Sequence, residues 1–257
     1  MSIDIEKAKK ILKKYIEKYD IENSRIQIKA NHIYRVAEKS KKIAQNIGLK
    51  EEDVKLAELI GLLHDIGRFE QIKKYNTFAD RMSEDHAELG IKVLLENNFL
   101  NEFLEDKSEQ EILIKAIRNH NKYKIQEKLN KQELLHAKII RDADKLDIYE
   151  VIIKANIEDS SWFKSENIDE EKLNNKMYED FINQRPILYE NMKNSVDQIV
   201  TWIAYIYDLN FPISLKIVKK NEYINKLVKK INYKDEQTKQ RMEQIEKQAE
   251  EYIKKQI

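Results

Sequence analysis

The sequence predicts an all-α fold, a helical bundle with additional helices at its C-terminal end. Three observations lead there. The 257 residues include only four Gly and two Pro, too few for the many turns of a sheet protein. Apolar residues recur at helical spacing along most of the chain. No repeat or flexible linker interrupts that pattern, so a single domain is expected, with a core over about 28–150 and a helical extension over about 156–257.

The elements follow in order. Ile5, Ala8, Ile11, Leu12, Tyr15, Ile16 and Tyr19 predict a first helix over 5–19. A second begins near His32, continues through Ile33, Val36, Ala37, Ile43, Ala44 and Ile47, and stops at Gly48, a helix-ending residue. Glu51 to Asp65 predicts a third, apolar nearly all round at its end and so the most buried. Phe69 to Ser83 has no period and is expected to be an ordered loop. Ser83 then caps a helix through His86, Leu89 and Val93. Ser108 with Glu111 resembles a capping box for a helix ending at His120. Leu134 to Ile153 is helical, with a break or bend expected at the acidic cluster Asp142, Asp144 and Asp147.

Beyond residue 156 the character changes. The stretch to Tyr178 is polar, with Trp162 and Phe163 as anchors; Asn191 to Tyr207 is an apolar helix ended by Asn210, Phe211 and Pro212. The last helix, from about Asn221, is rich in Lys, Glu and Gln, with sparse apolar positions such as Ile245, Ala249, Tyr252 and Ile253. Its charged side reads as a solvated face.

Composition narrows the function classes. With 47 Lys plus Arg against 46 Asp plus Glu, the chain has no global basic field, so long nucleic acid is not an expected partner. It has no cysteine, so any metal must be held by nitrogen and oxygen. The first residues lack the continuous apolar run of a signal peptide, and the longest apolar stretch, Ile199 to Tyr207, is too short to span a bilayer. No membrane partner and a cytoplasmic location are therefore expected.

Five histidines carry the chemical signal. His136, between Leu135 and Ile139 without an acidic neighbour in sequence, reads as structural. The others, His32, His64, His86 and His120, would each singly read as core residues. His64 and Asp65 differ in kind: neighbours on a regular helix point about 100° apart, but a left-handed exit at Gly67 would let them converge. Specificity lies in the order: His32 opening a helix, LLHDIGR (Leu62–Arg68), SEDHAELG around His86, AIRNH ending at His120, and IIRDADKLD supplying Asp144.

That order resembles the HD superfamily of metal-dependent phosphohydrolases over about residues 28–150. The resemblance implies that His32, His64, Asp65 and Asp144 hold one divalent metal, that His86 and His120 hold a second, and that Asp65 bridges them. Asp144 is preferred to Asp142 because it stands in ADKL; Asp142 and Asp147 are expected to be solvent-facing or helix-capping. Imidazole and carboxylate ligands suit one or two transition metals, Mn, Fe, Co, Ni or Zn, better than Mg. The implied activity is hydrolysis of a phosphoester or phosphoanhydride in a small phosphorylated substrate, a nucleotide by default, by a hydroxide bridging the two ions. Arg68 is the first choice to bind a phosphate oxygen through its guanidinium fork; Lys145 is the second, with Lys122 and Arg81 lining the mouth.

Two rival readings share these ligands: a diiron oxygenase of the same fold, and a non-enzymatic helical sensor or scaffold whose metal is structural. Nothing in the sequence resembles the GYP loop of the cyclic-di-GMP-cleaving branch.

Overall fold

The computed structural model describes residues 3–156, 167–185 and 187–257. Trp162 and Phe163 lie outside the described residues. Within them every regular element is helical, and no helix is long and apolar enough to cross a membrane. The chain divides into two compact units, Met1–Asp147 and Ile148–Ile257.

The first unit opens with α1, Ile5–Ile16, capped by Asp4, whose side chain accepts from the Lys7 amide. It ends a turn earlier than its apolar pattern, which continues to Tyr19. The second helix, α2 (Ser24–Asn46), starts two turns before the expected point, so His32 stands inside a continuous helix rather than at its start. Asn23 provides the cap that the apolar pattern did not reveal. At the far end Gly48, at φ +76°, lets the Leu49 amide reach back to the Ala44 carbonyl at 3.1 Å.

Helix α3 (Glu51–Leu63) begins with Glu51, Glu52 and Asp53, which complement the positive end of its dipole. From Leu56 to Leu63 every residue is buried. Close packing on α2 depends on Gly61: a Cβ there would lie 2.6 Å from the Ala37 Cα. The expected loop after it is instead α4, Gly67–Tyr75, followed by a short 3-10 turn at Asp80–Met82. Its buried residues Phe69 and Ile72 lie at helical spacing, but a nine-residue helix offers too few positions for a period to stand out. Gly67 is not left-handed; only Gly48 among the glycines has positive φ. What Gly67 supplies is room, because a Cβ there would meet the His86 carbonyl at 2.3 Å and the Gly90 amide nitrogen at 2.4 Å.

That contact joins α4 to α5, His86–Glu96. The cap of α5 is Asp85, not Ser83; the Ser83 hydroxyl donates to the Ala79 carbonyl and accepts from Gln71. Helix α6 (Phe99–Phe103) is short, and α7 (Lys107–His120) is capped by Asp106 rather than Ser108. A capping box does occur one helix later: Asn130 accepts from the amides of Gln132 and Glu133, while Glu133 accepts from the Asn130 amide. It opens α8, Lys131–Lys154, which runs unbroken through the acidic cluster and carries the chain from the first unit to the second.

The second unit contains α9 (Asn175–Ile182), α10 (Ser195–Ile203), α11 (Pro212–Lys220), α12 (Tyr223–Val228) and α13 (Glu236–Gln256). The α10 helix is shorter than its apolar run, which ends as a 3-10 turn over Ala204–Asp208. Along α13, Thr238, Met242, Ile245, Ala249 and Ile253 form one buried stripe. This helix packs on α9, α11 and α12, so its charged residues are the outer side of an ordinary amphipathic helix.

Candidate metal centre

Six side chains from four helices and one turn meet in the first unit. His32 comes from the third turn of α2, His86 from the first position of α5, His120 from the last of α7, and Asp144 from α8. His64 and Asp65 sit where α3 gives way to α4. There the Ile66 amide donates to Leu63 and the Arg68 amide to Asp65, a tight turn that brings the two neighbouring side chains to one point without any left-handed residue.

Distances define two groups around one carboxylate. Asp65 Oδ2 stands 3.6 Å from His32 Nε2 and 3.8 Å from His64 Nε2. Asp144 Oδ1 closes that side, 3.1 Å from His32 Nε2 and 3.8 Å from His64 Nε2. Asp65 Oδ1 faces the other way, 3.3 Å from His86 Nε2 and 3.6 Å from His120 Nε2. His32, His64 and Asp144 each offer one atom within 4.8 Å of the others, and so do His64, Asp65 and His120.

The outer nitrogen of every imidazole is held. Nδ1 of His32 meets Asp147 at 2.7 Å, and that of His64 the Gly61 carbonyl at 2.8 Å. Nδ1 of His86 meets Asp80 at 2.6 Å, and that of His120 the Ile117 carbonyl at 2.6 Å. Acceptors at all four Nδ1 atoms favour the ring proton there, which in each neutral ring leaves Nε2 as a lone pair aimed inward. The Nε2 atoms of His32 and His64 are buried without a hydrogen-bond partner. Those of His86 and His120 lie 2.9 Å apart. Two lone pairs that close repel unless a cation lies between them, and nitrogens bound at about 2.1 Å on adjacent corners of an octahedron stand about 3 Å apart. The donor set therefore fits divalent metal.

Electrostatics agrees. Burial pushes the His64 pKa down to about 3, and burial with the nearby Arg68 charge takes His86 to about 4, so both are neutral ligands at neutral pH. His32 is raised: burial and Lys29 oppose its charge, but Asp144 and Asp147 outweigh them. Burial would raise Asp65, yet Lys29, His64, His120 and Arg68 hold it well below the usual carboxylate range. Asp144 is likewise lowered, with His32 and His64 outweighing the burial penalty.

The acids outside the expected ligand set are buried where solvent-facing positions were expected. Asp142 is fully buried. Asp147 is fully buried too, and besides His32 it accepts from Arg35 at 2.8 Å and Lys39 at 3.0 Å. Its place one turn beyond Asp144 on the same helix face was the available signal. Lys29, one turn before His32 on α2, had the same helix-face signal; Asp80 carried none, because it reaches the site from a turn whose position only the fold fixes. Asp80, Asp85 and His86 form a third cluster. Its carboxylates are already engaged by Arg68, Gln71, Asn121, Lys122 and the first amides of α5. His136 is buried away from these residues and does have an acidic neighbour, Asp53 at 3.7 Å.

Of the expected substrate-binding residues, Arg68 lies beside the cluster, its Nε 3.6 Å from Asp65 Oδ1. Its Nη1 donates to Gln71, the Phe78 carbonyl and Asp80. Lys145 is buried next to Asp144, Lys122 pairs with Asp85, and Arg81 is exposed. Arg141 ties α8 to the end of α7 by donating to the Asn119 carbonyl at 2.9 Å, which fixes the helix end bearing His120.

Residues 30–149 match the model of a known family, the HD domain. No curated protein and no solved structure matches the chain.

Proposed function

We propose that this chain, whose residues 30–149 match the HD domain, hydrolyses a phosphoester or phosphoanhydride bond in a small substrate, a nucleotide being the first class to test. The observation that carries this reading is the division of the Asp65 carboxylate, with Oδ2 toward His32 and His64 and Oδ1 toward His86 and His120. A scaffold needs no carboxylate shared between two imidazole pairs. In this reading His32, His64, Asp65 and Asp144 hold one ion, and Asp65, His86 and His120 the other.

Two divalent ions held by these residues would acidify a water and offset negative charge on the attacking and leaving oxygens. The protein's own residues do the rest. The Nδ1 partners fix the rings, so their Nε2 atoms need no reorganisation when an ion is bound. The buried imidazoles keep bulk water from the ligand side; among the six side chains Asp144, at 18% exposure, is the most open. In this reading Arg68, whose Nε lies 3.6 Å from Asp65 Oδ1, binds a phosphate oxygen, and Lys145 adds positive charge next to Asp144. The near balance of charges in the whole chain favours a small substrate over a long polyanion.

The test uses purified full-length protein, with Mn2+ or Co2+, against a panel of nucleotides and phosphate esters under anaerobic conditions. Phosphate or nucleoside release supports the proposal. Substrate-dependent oxygen uptake in air, without anaerobic hydrolysis, would replace it with oxygenase chemistry.

A further inference from the structure

Lys29 lies one turn before His32 on α2, and its ammonium donates to Asp65 Oδ2 at 2.6 Å. This is the oxygen that faces His32 and His64. A dication on that oxygen would stand within about 5 Å of the ammonium, given ligand bonds of about 2.1 Å. Like charges that close repel strongly where water is scarce, and the Lys29 side chain is only 20% exposed. Lys29 and an ion therefore contend for Oδ2.

The surroundings offer the displaced ammonium another place. The Phe78 ring lies 5.5 Å from Lys29 Nζ, within cation–π range, and Arg68 lies 5.6 Å from the same ring. Arg68 also stands beside the other oxygen of Asp65. Two cations thus flank Asp65, one at each oxygen, and both share an aromatic neighbour on the segment between α4 and α5. A phosphate spanning the two ion positions would meet Arg68 at the Oδ1 end and Lys29 at the Oδ2 end.

We propose that Lys29 is an exchangeable counter-cation of Asp65, which yields Oδ2 to a divalent metal ion and then binds a phosphate oxygen of the substrate. This rests on the dinuclear phosphohydrolase reading above. It assigns a substrate-binding role to a residue that no motif in the sequence marks.

The experiment titrates chelator-stripped full-length protein with Mn2+, then titrates the Mn2+-loaded protein with inorganic phosphate. The variants are Lys29→Met and Lys29→Arg, with folding checked by circular dichroism. Lys29→Met is expected to bind Mn2+ about tenfold more tightly, because a competing charge is gone, and to bind phosphate about tenfold more weakly. Lys29→Arg keeps the charge and should stay near wild type in both titrations; it tests the idea even if the Met variant does not fold, since loss of phosphate binding in it would refute a purely cationic role. Equal or weaker Mn2+ binding by Lys29→Met overturns the exchange, and unchanged phosphate binding overturns the substrate contact. If wild type binds no Mn2+ or other transition metal, the dinuclear reading itself falls, a result distinct from a failure of Lys29 alone.

Discussion

Replacing Gly67 by Ala tests how the second half of the site is assembled. The added methyl would lie 2.3 Å from the His86 carbonyl oxygen, 2.4 Å from the Gly90 nitrogen and 2.9 Å from the Gly90 Cα. All three are backbone atoms, so no side chain can rotate away. Relief requires α4 and α5 to part by about 1 Å to restore ordinary contact distances. His86 is the first residue of α5 and moves with it. A ligand nitrogen tolerates only about 0.2 Å of displacement from its preferred bond length. The variant should therefore lose one metal equivalent while the set His32, His64, Asp65 and Asp144 keeps the other. Overpacking of this kind costs about 1–3 kcal/mol, so the melting temperature should fall as well. Elemental analysis of protein purified without added metal, paired with thermal unfolding, reads both effects. Two retained equivalents with unchanged melting would refute the claim that this glycine contact sets the place of His86.

Other expectations concern the residues that hold the imidazoles. Asp147→Asn removes the carboxylate behind His32 and should weaken metal binding by about 10–100-fold, read by Mn2+ titration of stripped protein. Asp80→Asn should weaken one of two binding steps by a similar factor and leave the other unchanged, because Asp80 holds His86 but no residue of the first set. In stripped protein, stability should decline as pH falls from about 6.5 toward 4. His64 and His86 stay neutral in the fold down to about 3 and 4, whereas the unfolded chain takes up their protons below about 6.5. Each contributes up to about 1.4 kcal/mol per pH unit in that window. His32, whose folded pKa is raised, contributes stability that is fully present below about 6.5 and is lost only as pH rises through its folded value. Urea midpoints measured across this range would show the decline, and a flat profile would contradict the burial of two neutral rings.

The six residues that meet in the structure are those singled out from motif order; each singly would read as a core or surface residue, and they were legible because their order along the chain resembles that of a known family. All-α architecture was legible for the same local reasons: scarce Gly and Pro, and periodic apolar residues. Boundaries were less so. Ser83 and Ser108 are good caps in isolation, yet Asp85 and Asp106 do the capping, since neighbouring candidates differ by less than the tertiary contacts that choose among them. A bend in α8 was expected from its acidic residues, but buried partners for Asp147 remove the need for one.

Sequence alone, then, determined the all-helical architecture, because apolar periodicity is a property of short segments, and through motif order it marked the six side chains that gather at the candidate site. Only the tertiary structure decided which oxygen of Asp65 faces which imidazoles, that Asp80 and Asp147 hold His86 and His32, and that Lys29 reaches Asp65 across 36 positions. Those pairings join residues far apart in the chain, and their geometry is set by close helix contacts such as Gly61 on Ala37 and Gly67 on Gly90, which no local pattern encodes.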